Sequence, residues 1–207
     1  TTVLMPRVTR LLALDRSSPD AHLMLAEWLA ASGEAQRAVV VLRHLVRVTP
    51  GQARAAQERL QPLVTTPAAP RAHLGLAEAC LAAGRHAGAL EHLEALATSH
   101  PDLTAEFLHS VAALSAAAPA LAPRIVTMLE TLEPRSPFPV AVHFARGEAQ
   151  FFAGQLPAAA ASFREALQSA PERVREVQAA LERFDRADPR AAEARYLLAT
   201  LYVEQGD

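Results

Sequence analysis

The chain has 207 residues, 51% of them apolar but only 5% aromatic, with a formal net charge of −2. Apolar content carried largely by alanine favours helices packed closely through small side chains, and the slight acidity disfavours a nucleic-acid binder, which gathers a basic excess on one face. The single cysteine, Cys80, excludes an intrachain disulfide and a cysteine-built metal site.

All 20 basic residues are Arg, a bias that points to a GC-rich bacterial genome. No uncharged apolar run is long enough for a transmembrane helix, so no membrane insertion is expected of this stretch. The first residue is Thr1 rather than Met, so an upstream signal or anchor is compatible with the chain. The cytoplasm is the first reading of compartment and the periplasm the second.

In chain order, Val8, Leu11 and Leu14 read as the tail of a helix that closes a partial repeat over 1–18. Residues 19–52 then read as a complete helix pair. Its first helix carries Leu25, Ala26 and Leu29, Gly33 makes a turn, and its second helix carries Ala38, Leu42 and Leu45 before Pro50. Residues 53–69 do not fit the repeat and are predicted to hold an extra helix ending at Pro67.

The frame returns at 70–103 with Ala77, Gly84, Ala89, Leu93, Leu96 and Pro101 in the same places. A degenerate copy follows at 106–139, with Ala113, Leu129, Leu132 and Pro137 in register but no turn glycine; Pro119 falls near that point instead. Residues 140–173 repeat the full pattern with Gly147, Gly154, Ala159, Phe163, Ala166 and Pro171. A second extra helix is expected in 174–191, ending near Pro189, and 192–207 reads as one first helix with Ala199, Tyr202 and Gly206 in place. Both termini thus fall inside repeats, as in a fragment of a longer array.

Each place has a physical reason. Small residues sit where two antiparallel helices cross closely. Glycine takes the positive φ of the turn. Proline ends the second helix, because it cannot continue the hydrogen bonding. A single pair cannot bury its apolar face alone; stacked neighbours bury it.

This 34-residue period, with glycine at the turn and proline at the end, resembles the tetratricopeptide repeat (TPR) family. The resemblance implies an all-α fold: an α-solenoid of antiparallel helix pairs in a TPR-like right-handed superhelix, here with extra interrupting helices. It departs from the family pattern in placing His22, His73, His109 and His143 where an aromatic residue is frequent. It also implies that the first helices line a concave groove.

The matching places give a candidate peptide-binding groove of Leu23, Glu27, Leu74, Glu78, Leu81, Phe144, Glu148, Phe151, Phe152 and Tyr196. The Lys and Asn with which some members grip a carboxylate are absent from these places, which disfavours a receptor for chaperone tails. The remaining face is apolar with a recurring Glu, which suits an amphipathic helix carrying Arg or Lys, with the aromatic residues as its anchors. Against this stand two plain alternatives: the Glu series as a solvated face, and the aromatics as a packing surface for the 174–191 helix.

The sequence carries no phosphate-binding, nucleophile-elbow or zinc-hydrolase motif, so no cofactor or catalytic residue is assigned. His86 and His92 are six apart and do not share a helix face, and the repeated His place points to packing rather than metal binding. Cys80 occupies a place held by Leu29 and Tyr202 in other copies and reads as a small core residue. Trp28, the only tryptophan, is expected to fill core space or cover the 53–69 helix.

The expected function is a non-enzymatic protein–protein interaction scaffold or adaptor. The alternatives are a regulatory or sensor module of a larger signalling protein, and a periplasmic array of an exopolysaccharide-export or secretion complex. An uncovered end helix bearing Leu197, Leu198, Leu201 and Tyr202 makes a homo-oligomer a further expectation.

Overall fold

The computed structural model describes residues 18–100 and 105–170, together with Tyr196 and Ala199, which lie in helix. Within them are nine α-helices: α1 (Pro19–Ala31), α2 (Ala35–Val48), α3 (Ala53–Leu60), α4 (Ala69–Ala82), α5 (His86–Ser99), α6 (Ala105–Ala117), α7 (Ala122–Leu132), α8 (Pro139–Phe152) and α9 (Leu156–Ser169). No strand occurs among the described residues. The fold is an all-α helical repeat of the TPR type. It divides into two compact units, Thr1–His100 and Pro101–Asp207. The expected partial repeats at 1–18 and 192–207 and the expected helix at 174–191 fall outside the described residues, apart from Tyr196 and Ala199.

In the first unit, α1 starts with Ser18 as N-cap, its hydroxyl accepting from the Ala21 amide, and with Pro19 in the first turn. Its end is a Schellman closure: the Gly33 amide donates to Ala30 and the Glu34 amide to Leu29, with Gly33 at φ 81°. The same pair of bonds recurs at Gly84 (to Leu81, with Arg85 to Cys80) and at Gly154 (to Phe151, with Gln155 to Gln150). A residue with a Cβ resists this left-handed conformation, which is why the glycine repeats.

The crossing places Ala26, Ala38, Ala77 and Ala89 are all buried. Between the two pairs of this unit lies α3, followed by a 3-10 turn at Gln61–Thr65. Ala53, Ala56, Leu60 and Leu63 of this segment join one apolar core with Leu23, Leu29, Leu42 and Leu45. Trp28 packs half-buried against that core.

In the second unit, α8 and α9 repeat the crossing most tightly. A Cβ on Gly147 would lie 2.7 Å from the Phe163 ring, so only glycine lets the helices approach this closely.

The pair α6–α7 departs from the period. In α7, Ile125, Leu129 and Leu132 are buried at the places of Ala38, Leu42 and Leu45, as the 106–139 frame expects. In α6, however, Ala113 and His109 are exposed, while Phe107, Ser110, Val111 and Leu114 are buried. Set against α4, the buried stripe therefore lies one residue earlier than that frame places it. Phe107 and Val111 stand at the places that buried Ala72 and Leu76 hold in α4. Without a glycine, α6 ends at Ala117, Ala118 follows with φ −141°, and a 3-10 turn over Pro119–Leu121 takes up the one extra residue.

Candidate functional site

The expected groove residues fall into two groups. Leu23, Leu74 and Phe151 are buried, Phe151 completely, and Glu148 is buried with them. These four side chains lie within their units, with little open surface of their own. Their helices are covered from more directions than one repeat reveals. For Leu23 the cover is the shared core with α3, which the 34-residue frame leaves out. Leu81, Phe144 and Phe152 remain half-buried, while Glu27 and Tyr196 are exposed.

The aromatic side chains are held by one another. Phe144 meets Phe163 edge-on with centroids 5.6 Å apart, and Phe152 meets Phe151 edge-on at 6.0 Å.

The recurring Glu places are engaged within the chain. Glu27 accepts from Arg59 Nε of α3 at 2.7 Å. Glu78 accepts from Arg43 Nε and Nη2 at 2.8 and 2.7 Å, and from Arg47 Nη2 at 2.8 Å. Burial alone would raise the Glu78 carboxyl, but the two guanidiniums outweigh it and hold the group below its ordinary range. Its side chain is only 15% exposed and that of Arg43 only 9%, so this bidentate pair is a tie between α2 and α4. The sequence carried a signal for it in the Arg spacing of α2, but which helix those arginines reach is a tertiary matter.

Three of the four repeated histidines, His22, His73 and His143, take partners within the chain. The rings of His22 and His44 lie 5.5 Å apart, as do those of His73 and His92. The Nδ1 atoms of the second pair approach to 3.4 Å, so one ring donates to the other. Burial lowers the pKa of His73, with His100 adding to it. Burial likewise lowers that of His92, with His73 and Arg85 adding to it and Glu91 opposing. His143 lies 3.5 Å from Glu133, beside Arg146, which donates to Ser162 Oγ at 3.0 Å, to Glu133 at 2.9 Å and to Glu165.

A cleft of about 400 Å³ opens where α3, α4 and α5 meet. Gln57 of α3, Leu76 and Cys80 of α4, and Gly88 and His92 of α5 line it. Cys80 is buried and takes the Gln57 carboxamide at 2.9 Å from its sulfur. No sequence motif marked this cleft, because it depends on an interposed helix that belongs to no repeat.

Among the described residues no cluster of three or more His, Cys, Asp or Glu is arranged to hold a metal ion. No single helix there is long and apolar enough to cross a membrane.

Stacked antiparallel helix pairs with glycine-closed turns and small-residue crossings define a helical-repeat scaffold. Two family models described as tetratricopeptide repeat match residues 48–114 and 112–174. The chain belongs to the tetratricopeptide repeat family, whose repeats are generally protein–protein interaction modules. No curated protein matches the chain.

Proposed function

We propose that this chain is a non-catalytic scaffold that takes up a partner's peptide or helical segment on the surfaces of its first helices. The observation that carries this reading is the pair Phe144 and Phe152. They stand half-exposed and eight residues apart on α8, about two turns and so on one side of the helix. Each is braced by a second ring, Phe163 or Phe151. Braced aromatics make good anchors, because little side-chain freedom is lost when a partner covers them. In the first unit Leu81 and Glu27 are the corresponding open places, and Tyr196 adds an exposed aromatic in the second. Leu23, Leu74, Glu148 and Phe151 would back these surfaces from the interior.

The test is selection from a displayed random-peptide library on the full chain, followed by binding to Phe144→Glu with Phe152→Glu. Phe151 is left intact, since its burial makes substitution a folding test. Loss of about tenfold or more in affinity, with an unchanged melting temperature, supports the reading. Equal binding to both proteins removes α8 as the working surface.

A further inference from the structure

We propose that the cleft between α3, α4 and α5 is a second docking site, separate from α8, and that it takes an extended peptide segment bearing one acidic and one basic side chain. The cleft's volume of about 400 Å³ lies in the range of about 300–1,000 Å³ typical of ligand pockets. One turn of helix, about 10 Å across and 5.4 Å long, would by itself fill that space, so an extended chain running through an open cleft fits better.

Gln57 supplies the recognition of backbone. It is more than nine-tenths buried, lines the cleft, and has one bond, to the Cys80 sulfur. Whichever way the carboxamide is turned, one of its polar ends meets the sulfur and the other has no protein partner among the described residues. A carboxamide matches a peptide group donor for acceptor, so a passing main chain satisfies what the protein leaves open.

The rim supplies the side-chain preference. Arg54 is occupied by Glu58 at 3.3 Å. Arg85 and Glu91 line the same cleft, and among the described residues neither forms an ion pair. Arg85 stands at the N-cap of α5 and Glu91 six residues further along the chain. An acidic side chain of the peptide would face Arg85 and a basic one Glu91.

Gly88 provides the room. A Cβ built there meets only the Cys80 sulfur, at the ordinary contact distance of 3.4 Å, so a side chain can start into the cleft from this place.

The random-peptide library is selected on the full chain. Each selected peptide is measured on wild type, Gly88→Phe, Gln57→Leu and the Phe144→Glu with Phe152→Glu protein. The rate at which a small thiol reagent labels Cys80 is measured with and without peptide. The expected result is a class of peptides with paired acidic and basic residues that bind Gly88→Phe and Gln57→Leu about tenfold or more weakly, bind the double Phe variant unchanged, and slow Cys80 labelling. If Gly88→Phe melts early, Gln57→Leu and the labelling rate carry the test. Selected peptides that bind both cleft variants as wild type and leave labelling unchanged overturn the proposal, as does an empty selection. Displacement by free succinate at the peptide's own affinity also overturns it, since the site is then one for small anions. Peptides lost only on the double Phe variant support the α8 reading while rejecting this one.

Discussion

Two neighbouring helix pairs of the second unit are built on different rules. In α8–α9 the first helix closes on Gly154 in the left-handed conformation, and the helices cross at Gly147 against Phe163. In α6–α7 there is no turn glycine. The connection passes through a 3-10 turn at Pro119–Leu121, and the buried stripe of the first helix lies one residue early. The turn therefore governs register: a Schellman closure permits one connection length, and the crossing residue follows from it. Once the glycine is gone, α6 is held by its own apolar stripe, with Phe107, Val111 and Leu114 in the core.

The largest expected effect tests that shift directly. Phe107→Ala should cost about 3–5 kcal/mol in urea unfolding, as for a fully buried aromatic, whereas His109→Ala should stay within about 0.5 kcal/mol. Comparable costs at the two positions would restore the unshifted register.

The crossing comes next. Gly147→Ala forces a methyl group into a fully buried ring and should cost about 1–3 kcal/mol, while Ala113→Leu on exposed α6 surface should be nearly neutral. A tolerated Gly147→Ala would mean that α8 and α9 can separate freely.

The turns should differ by somewhat less. Gly154→Ala should lose about 1–2 kcal/mol from the left-handed backbone. Ala118→Gly should recover none of it, because Ala118 has φ −141° and needs no glycine. Thermal melts of both single variants decide this.

The smallest effect concerns the histidines, which are paired in the first unit and exposed at His109 in α6. Burial holds the pKa of His73 and of His92 below the ordinary 6.5. The folded chain thus resists protons that the unfolded chain accepts. Stability is complete above about pH 6.5 and declines as pH falls toward the folded values. The melting temperature of wild type should drop on acidification through this window, and that of His92→Gln should drop less; parallel curves would mean the pair contributes nothing.

Much of the plan was legible locally. Gly33, Gly84 and Gly154 marked their turns, and Ala26, Ala77 and Gly147 marked close crossings, because each answers a constraint felt within its own pair. The candidate site was legible only in outline. Leu81, Phe144 and Phe152 kept an open side, but Leu23, Leu74 and Phe151 did not. A first-helix place looks the same in sequence whether or not another helix covers it.

The sequence by itself determined the helical period, the punctuation of the pairs and the all-α repeat class, since positive φ, a missing amide hydrogen and a small side chain act at single positions. Only the tertiary structure decided the partners of the recurring glutamates, the shifted stripe of α6 and the cleft beside α3. The glutamate partners and the cleft depend on residues brought near from another helix: Arg43 and Arg47 to Glu78, Arg59 to Glu27, and Gln57 to Cys80. Periodicity along one chain carries no information about distances between helices, and those distances set burial and charge pairing.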